Sequence, residues 1–475
     1  MPRRRRSRQQ RSDGAANRVH ILAIAGEQLS RSPRTSMEEV AKAANVSRGT
    51  LYRHFPTRAD LLAAINDEVR QVATENVEDS LRPPGELARA TPTPLSVADV
   101  LNKVPPHLLG DQIVAEAQRI KGVSAAAVYL VDLEGTNLTR LAGPQAFPQT
   151  LPVPLAVGTE IPREGFPALL AMIEEHLPGT AVAPLALRGR AIGVLVAVGH
   201  ADDGLDDLAY EAAAALALAE HYTDHLDAIR RVRATSPAAE IQQNLLPPRI
   251  VRTAGAMIAA NVLPGYEIGG DWFDYAENAS GTWIGTADAD GNGPAAAALA
   301  SVALGAFRSG RHQTLELVEI VELMDDTVRQ IFRRKTVTTT IGLWVAPTST
   351  FSWISCGELG PIVVDAQGVG DLLEGPRLPP LGATRRLRDI KVRTRRLNDG
   401  DRLVLASDGV VNRTYPEGNA LSIQGIVDAI RDAPSASAAG AVSAVEAVIR
   451  TINDEDLVDD ATIAVLTPVL MPSER

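Results

Sequence analysis

Residues 400–410 read GDRLVLASDGV, a candidate strand over 402–406 that runs directly into Ser407-Asp408-Gly409. An aspartate beside glycine or a second aspartate, next to a candidate strand, recurs at three further places: GGDWFD (269–274), DADGNG (288–293) and DDAT (459–462). Aspartate and glycine are common in turns, so one such segment means little. Four of them, each tied to a strand end, predict a sheet that holds several carboxylates in fixed positions.

Carboxylates gathered in this way suit hard divalent cations, which prefer oxygen ligands. Two such ions about 3.5–4 Å apart lower the pKa of a shared water and stabilise the charge on a phosphoryl group in transfer. Glycine beside the carboxylates lets a backbone carbonyl approach an ion closely. The four segments therefore predict a two-metal site for phosphate chemistry.

Groups of candidate strands with helices between them favour a sheet-based α+β domain over a doubly wound one. The strands are predicted at 282–287, 338–345, 351–355, 361–365, 402–406 and 461–466, and the helices at 294–308, 314–334, 422–432 and 437–452.

Six motifs in this order resemble the metal-dependent protein phosphatases of the PPM superfamily, in the bacterial branch of SpoIIE and RsbU. They are EIQQNLLPP (240–248), GGDWFD (269–274), DADGNG (288–293), LPPLG (378–382), GDRLVLASDGV (400–410) and DDATIAVL (459–466). The resemblance covers about residues 238–468, and it implies an α-β-β-α sandwich with a two-metal active site.

The resemblance also implies which side chains bind the ions. The family holds two Mn²⁺ or Mg²⁺ ions with aspartates that correspond to Asp271, Asp288, Asp408 and Asp459. Asp288 would bridge the ions, and the carbonyl of Ala289 would complete one shell. Four neighbours are expected to support the ligands rather than bind an ion: Asp274, Asp290, Asn292 and Asp460. Asn292 stands where the family often has histidine or lysine, which removes one proton donor.

The implied reaction is hydrolysis of phosphoserine or phosphothreonine on a protein, without a covalent phosphoenzyme. The usual substrate in the family is a phosphorylated anti-anti-sigma protein. Two other functions stay open: a transcription factor whose tail binds metal or a partner without turnover, and a scaffold that brings partners to DNA. Cys356, the single cysteine, excludes an internal disulfide and is predicted to be a small buried side chain on a strand.

The N-terminal stretch SMEEVAKAANVSRGTLYRHFPTRADLL (36–62) predicts a helix-turn-helix. Thr35 or Ser36 can cap the helix that contains Glu38 and Glu39, and Ser47 can cap the next. A short braced helix of this kind presents polar side chains to the major groove, and the candidates here are Ser47, Arg48, Thr50, Tyr52, Arg53 and His54. The run VSRGTLYRHF (46–55) resembles the TetR family, which implies binding to DNA as half of a dimer. A helical protein-interaction module is the alternative.

The N-terminal region differs from the rest of the chain in the sign of its net charge. Residues 1–60 carry 13 basic and 5 acidic side chains, a net of +8, whereas the remainder carries a net of −19 within a total of −11. Only the basic N-terminal region is therefore expected to meet a polyanion. The Arg3–Arg6 run is either a solvated tail or an arm that contacts DNA.

The middle of the chain resembles a GAF domain over residues 95–228. The resemblance rests on GVSAAAVYLVDLEG (122–135), VAPLALRGRAIGVLVAVG (182–199) and DGLDDLAYEAAAALALAEHY (203–222). It implies a sensor that could enclose a small molecule, and the alternative is a plain dimerisation spacer. A long helix over Leu205–Ile229 is predicted to continue toward Arg233 and to restart over Ala238–Leu246, so that residues 229–248 would act as a signalling helix into the next domain.

Length, composition and motifs together predict a multidomain α+β protein of the cytoplasm. The 475 residues are 45% hydrophobic and 22% charged, and neither a secretory signal nor an apolar run of membrane length is present in the sequence. A homodimer is expected, with no membrane partner. The predicted order is a basic disordered arm (1–14), a TetR-like helix-turn-helix (15–80), a Pro-rich linker (81–94), a GAF-like domain (95–228), a signalling helix (229–248) and a phosphatase domain (249–468).

Overall fold

The computed structural model of the chain forms two compact units, Met1–Leu109 and Gly110–Arg475. The residues described are 18, 20–22, 24, 25, 28, 35–58, 60, 61, 64, 96–199, 204–264, 269–357, 359–375, 378–383, 386–415, 417–452 and 460–469. The predicted arm (1–14), the Pro-rich linker (81–94) and Asp459 lie outside these residues. Within them, no helix has both the length and the apolarity needed to cross a bilayer.

The first unit contains the predicted helix-turn-helix, α1 (Met37–Ala43) and α2 (Arg48–His54), and ends near α3 (Val97–Lys103). Ser36 caps α1 in a capping box: its backbone N donates to Glu39 Oε2 at 2.6 Å, and Glu39 N donates to Ser36 Oγ at 3.3 Å. Ser47 caps α2 through Thr50 N, which donates to the serine hydroxyl at 3.1 Å. Both predicted caps are confirmed. The two helices pack on a small core of Ile21, Leu22, Ala25, Val40, Ala44, Leu51, Phe55 and Leu61.

The second unit begins with a six-stranded antiparallel sheet. Its elements are α4 (Leu109–Ala117), β1 (Val123–Val131), β2 (Asn137–Ala142), β3 (Thr150–Pro152), β4 (Ile161–Pro162), α5 (Phe166–His176), β5 (Thr180–Leu187), β6 (Arg190–Gly199) and α6 (Gly204–Ala219). The strand order is β3-β2-β1-β6-β4, and β5 also pairs with β6. Alternate residues of β1, among them Tyr129 and Val131, pack against Leu169 and Ile173 of α5. The GAF-like assignment of this sheet stays a prediction.

Two further antiparallel sheets, of five and six strands, form the remainder of the second unit. Its strands are β7 (Ile250–Arg252), β8 (Ala256–Leu263), β9 (Asp271–Asn278), β10 (Gly281–Ala289), β11 (Val337–Val345), β12 (Thr350–Cys356), β13 (Ile362–Val364), β14 (Gly370–Leu372), β15 (Arg393–Arg396), β16 (Arg402–Ala406) and β17 (Ala461–Pro468). One sheet has the order β15-β12-β11-β10-β9 and the other β14-β13-β16-β17-β8-β7. The six strands predicted in this region are all confirmed.

Helices cover the outer face of each of these sheets. They are α9 (Gly293–His312) and α10 (Leu317–Ile331) on the first sheet, and α12 (Ser422–Arg431) and α13 (Ala438–Ile452) on the second, with the short α11 (Asp408–Val411) at the end of β16. Three apolar clusters lie between the layers: α9 and α10 against the first sheet, sheet against sheet, and α12 and α13 against the second sheet. The predicted α-β-β-α sandwich is therefore confirmed.

The single long helix predicted over Leu205–Ile229 is wrong, because the chain breaks it at Thr223, whereas the restart predicted over Ala238–Leu246 is confirmed. After α6 and a 3-10 turn, Thr223 is extended and its hydroxyl accepts a hydrogen bond from His225 N at 3.1 Å, which starts α7 (His225–Arg230). Arg231 is extended as well, and Ser236 then caps α8 (Pro237–Leu245), with its hydroxyl accepting from Ala239 N at 3.1 Å. Proline at the first position of α8 favours a fresh start there over a continuation.

The middle sheet and the sandwich share a buried contact inside the second unit. Val157, from the loop before β4, belongs to the apolar cluster beneath α12 and α13. Next to it, Glu160 accepts from Ile250 N at 2.7 Å and pairs with Arg190 Nε at 2.9 Å. Burial raises the pKa of Glu160, and the guanidinium groups of Arg190 and Arg249 oppose that rise. The buried acid is therefore held by cations from both domains.

Candidate metal centre

Asp271 and Asp288, two of the predicted ligands, stand directly opposite each other on neighbouring strands. Asp271 is the first residue of β9, and its Cα partner in the antiparallel pair is Asp288, near the end of β10. Directly opposite residues in such a pair have Cβ atoms about 4.5–5.5 Å apart. The register of one hairpin therefore brings together carboxylates that are 17 positions apart in the sequence.

The carboxylate of Asp271 is buried, with 2% of the residue exposed. Its Oδ2 accepts a hydrogen bond from Thr462 Oγ1 at 2.6 Å. Burial raises the pKa of Asp271 well above its ordinary value, and the charges of Asp288 and Asp460 raise it further. Like charges held this close repel each other, so the site favours a bound cation.

The third predicted ligand, Asp408, follows β16 as the first residue of α11, and its side chain is exposed. Ser407 fixes its position, because Ser407 N donates to Thr462 O and Thr462 N donates to Ser407 Oγ, both at 2.9 Å. Gly409 lies so close to the next strand that a Cβ there would be 1.8 Å from the carbonyl oxygen of Asp460. The turn that carries Asp408 is thus held against Asp460 at the start of the next strand.

A cavity of about 250 Å³ opens between these turns, and Asp288 and Asp408 both line it. Among the other lining residues are Thr338, Thr340, Cys356 and Asn412. The structure therefore brings Asp271 to Asp288 across a strand pair, and Asp288 to Asp408 across a cavity.

The described residues alone do not complete a metal site: no group of three or more aspartate, glutamate, histidine or cysteine side chains among them is placed to hold an ion. The remaining predicted ligand, Asp459, lies outside the described part of the chain. The donors present are all oxygens, which fits Mn²⁺ or Mg²⁺. Gly270 leaves space beside the predicted carbonyl ligand, since a Cβ there would lie 3.2 Å from Ala289 O. On these observations the residues fit a hard divalent cation.

The carboxylate of Asp460 fixes the backbone at Gly270 and Asp271 and contacts α8. Its Oδ2 accepts from Gly270 N at 2.7 Å, from Asp271 N at 3.2 Å and from Gln242 Nε2 at 2.9 Å. Gln242, on α8, also donates to the backbone carbonyl of Asp271 at 3.1 Å. The sequence indicated the motif that contains Gln242, but not the role of this side chain, nor those of Ser407 and Thr462.

The other predicted supporting residues lie at different places. Asp274 is buried and pairs with Arg308, at 2.8 Å, and with Arg311, so it fastens α9 to β9. Asp290 is exposed and pairs with Lys335 Nζ at 3.3 Å. Asn292 is exposed and occupies the N-cap position of α9 without a side-chain capping bond. Lys335 thus places a cation beside Asp290, in the loop before α9, that the sequence did not indicate.

Two ranges of the chain match protein-family models. Residues 278–468 match the family model of stage II sporulation protein E (SpoIIE). The second unit carries a SpoIIE domain. Residues 32–65, in the first unit, match the model of bacterial regulatory proteins of the tetR family. The SpoIIE match includes Asp288 and Asp408, and it begins after Asp271.

Individual relatives resemble only parts of the chain. The HTH-type transcriptional regulator AcrR of Shigella flexneri is 28% identical over 116 residues, which are 24% of this chain and 50% of that protein. The chain thus spans about half the length of this curated relative. The RsbU and RsbW domains of Rv1364c from Mycobacterium tuberculosis are 24% identical, with 46% of this chain and 61% of that chain covered and a TM-score of 0.41. The SiaA-PP2C domain of Pseudomonas aeruginosa is 18% identical, with 48% and 94% covered and a TM-score of 0.41.

The tetR-type region presents most of its predicted DNA contacts on one exposed helix. Ser47, Arg48, Tyr52 and Arg53 are exposed, and Thr50 and His54 are half-buried. Part of this set is engaged within the unit: Ser47 and Thr50 share a hydrogen bond at 2.8 Å, and Arg48 pairs with Glu38. Arg53 and Tyr52 are therefore the exposed members of this predicted set that take part in neither of these contacts.

Proposed function

We propose that the chain is a metal-dependent protein serine/threonine phosphatase. The observation that supports this best is the placement of Asp271 opposite Asp288, with Asp288 and Asp408 lining one cavity. The SpoIIE match over residues 278–468 supports the same reaction class.

Four carboxylates and one carbonyl would hold two Mn²⁺ or Mg²⁺ ions: Asp271, Asp288, Asp408, Asp459 and Ala289 O. When bound, such ions supply Lewis acidity and an activated water for attack on phosphorus. Thr338 and Asn412 line the cavity, and their hydroxyl and amide groups are donors that phosphate oxygens can accept from. These residues bind and orient the phosphate group in the proposed mechanism.

A cysteine-based mechanism does not fit the same cavity. Cys356 lies on its wall, but burial raises the pKa of the thiol to about 12, with a smaller contribution from Asp325. A nucleophilic cysteine requires the thiolate, which would be scarce near neutral pH. Hydrolysis without a covalent phosphoenzyme is therefore the proposed route.

The proposed substrate is phosphoserine or phosphothreonine on a regulatory protein of the anti-anti-sigma type, in the cytoplasm. This class follows from the resemblance to SpoIIE and RsbU. The test is a comparison of phosphopeptides from cells with and without the chain, followed by turnover of the accumulating phosphoprotein with Mn²⁺. Failure of the wild-type chain to hydrolyse that protein would favour a regulator whose SpoIIE domain binds metal or a partner without turnover.

Regulation is proposed to reach the centre through α8, the helix between the middle sheet and the sandwich. Gln242 joins α8 to Asp271 and Asp460, and Gly269 packs against the helix so closely that a Cβ there would lie 2.6 Å from Ala238 O. A shift of α8, driven by a ligand in the GAF-like sheet or by a change in a homodimer, would therefore move the turn that carries Asp271.

Gln242→Ala tests this link. We expect turnover to fall by about tenfold or more, because Asp460 and the Asp271 carbonyl lose a buried donor, a loss typically of about 1–3 kcal/mol. The assay is steady-state hydrolysis over a series of Mn²⁺ concentrations, and weaker metal dependence should accompany the loss. Asn244→Ala, at an exposed position of the same helix, is the control. Wild-type kinetics in Gln242→Ala would contradict the link.

The tetR-type region is proposed to bind duplex DNA as part of a dimer. Arg53→Ala should weaken binding to genomic fragments and lower the slope of log K against log salt by about 1, because one phosphate contact is lost. Gel shifts over a salt series measure both quantities. Asp288→Asn should bind DNA as the wild type does, since the two sites share no residues. Absence of salt-sensitive binding by the wild-type chain would favour the protein-interaction module.

A further inference from the structure

A second cavity, of about 270 Å³, adjoins the one that Asp288 and Asp408 line. The two cavities share Leu359. The wall between them includes a cross-strand pair, Thr340 on the catalytic side and Ser355 on the other, whose hydroxyls lie 2.9 Å apart. A peptide chain with its phosphorylated residue in the first cavity therefore reaches the second within a few residues.

The outer wall of the second cavity is basic. Lys391 and Arg393 line it, together with one carboxylate, Glu374. They belong to residues 386–396, which hold six basic and one acidic side chain, a net of +5, in a body (61–475) of net charge −19. All the basic side chains of this segment are exposed. A concentrated positive charge on an otherwise acidic domain marks the place where an acidic partner is attracted.

Two of the six cations are already paired, Arg386 with Asp326 and Arg395 with Asp371, both at 3.2 Å. Lys391 and Arg393 form no ion pair with the described residues, so their charge is available to a partner. Charged residues on an edge strand such as β15 also prevent edge-to-edge association. That role alone does not require cations on the wall of a cavity next to the catalytic one.

We infer that the second cavity, with Lys391 and Arg393, binds acidic residues that flank the phosphorylated residue of the substrate. This inference rests on the proposed phosphatase function and adds to it the sequence preference of the substrate. The partner is an acidic segment of a phosphoprotein, and its carboxylates replace water around the two cations.

The test uses the full chain with Mn²⁺ and three substrates: p-nitrophenyl phosphate, a phosphoserine peptide flanked by glutamates, and the same peptide with glutamines. The wild type should prefer the acidic peptide in kcat/KM by about tenfold, since each of two exposed ion pairs strengthens binding by about threefold. The preference should lie in KM and disappear in high salt.

The variant Lys391→Glu/Arg393→Glu should lose this preference and hydrolyse p-nitrophenyl phosphate at the wild-type rate. The matched control is Arg396→Glu on the same strand. Arg393 is opposite the inward-facing Trp353, whereas Arg396 is opposite Thr350 and so lies on the other face. The control should keep the preference. Equal use of both peptides by the wild type, or an equal loss in the control, would overturn the inference.

Fluorescence anisotropy of the labelled acidic peptide separates this inference from the proposed function. Binding by the wild type that the double variant loses, without hydrolysis of any substrate, would support the cavity and reject the phosphatase. Hydrolysis of both peptides, with equal binding of the acidic peptide by the wild type and the double variant, would support the phosphatase and reject the cavity as a binding site. Loss of duplex binding in the double variant, with peptide binding unchanged, would assign the cations to nucleic acid and overturn the inference.

Discussion

Asp288→Asn should lower phosphatase turnover by about three orders of magnitude or more, because a metal-dependent centre loses its chemistry with its ligand. The substitution keeps the size of the side chain and removes one of two like charges that face each other across β9 and β10. The free energy of unfolding without metal should therefore not fall. Turnover of the phosphoprotein, Mn²⁺ uptake by calorimetry and urea denaturation give the three measurements.

Asp408→Asn should lower turnover as much as Asp288→Asn does, because Asp408 lines the same cavity. Asp399→Asn is the matched control, because Asp399 is an exposed aspartate in the turn that precedes the same strand, β16. Its turnover should stay within about twofold of the wild type, as expected for a surface substitution. Full activity in either Asp288→Asn or Asp408→Asn, or unchanged Mn²⁺ uptake in both, would rule out the catalytic assignment.

Gly409→Ala should destabilise the chain and disable the centre together. The added Cβ would lie 1.8 Å from the backbone oxygen of Asp460, and a backbone atom cannot rotate away as a side chain can. Relief requires α11 to move, which costs about 1–3 kcal/mol and carries Asp408 away from Asp460. Urea denaturation and kcat, measured on the same preparation, test both parts.

Gly305→Ala is the control for that experiment. Gly305 lies inside α9 and is exposed, and a Cβ added there would meet no heavy atom within 4 Å beyond the backbone of its own helix. Alanine at this position should stabilise the chain by up to about 1 kcal/mol, because it is the better helix former. A Gly409→Ala variant as stable and active as the wild type would show that the clamp on Asp408 is unimportant.

Local signals in the sequence predicted most of the sandwich. The strands over 338–345 and 402–406 are short apolar runs, and Ser36 and Ser47 are capping residues at the expected places. The opposition of Asp271 and Asp288 was not among these predictions, because no strand was predicted over 271–278; the tight turn between β9 and β10 fixes that register. The break at Thr223 was not predicted. There a side-chain hydrogen bond, from His225 N to the Thr223 hydroxyl, interrupts an Ala/Leu pattern that favours helix.

The rest of the centre depends on contacts between distant parts of the chain. Gln242 meets Asp460 across 218 positions, and Thr462 meets Asp271 across 191. No periodicity or motif spacing indicates such pairs, because each is created by the packing of separate layers. Lys335 reaches Asp290 for the same reason. The sequence could therefore name the ligands but not the residues that position them.

The buried contact between the middle sheet and the sandwich limits how this architecture can evolve. Val157 fills part of the core beneath α12 and α13, and Glu160 neutralises cations that include Arg249 at the base of the sandwich. A different domain grafted onto this sandwich would leave a cavity beneath α12 and α13 and a buried guanidinium, Arg249, without its acid. The two domains must therefore be inherited and altered as a pair.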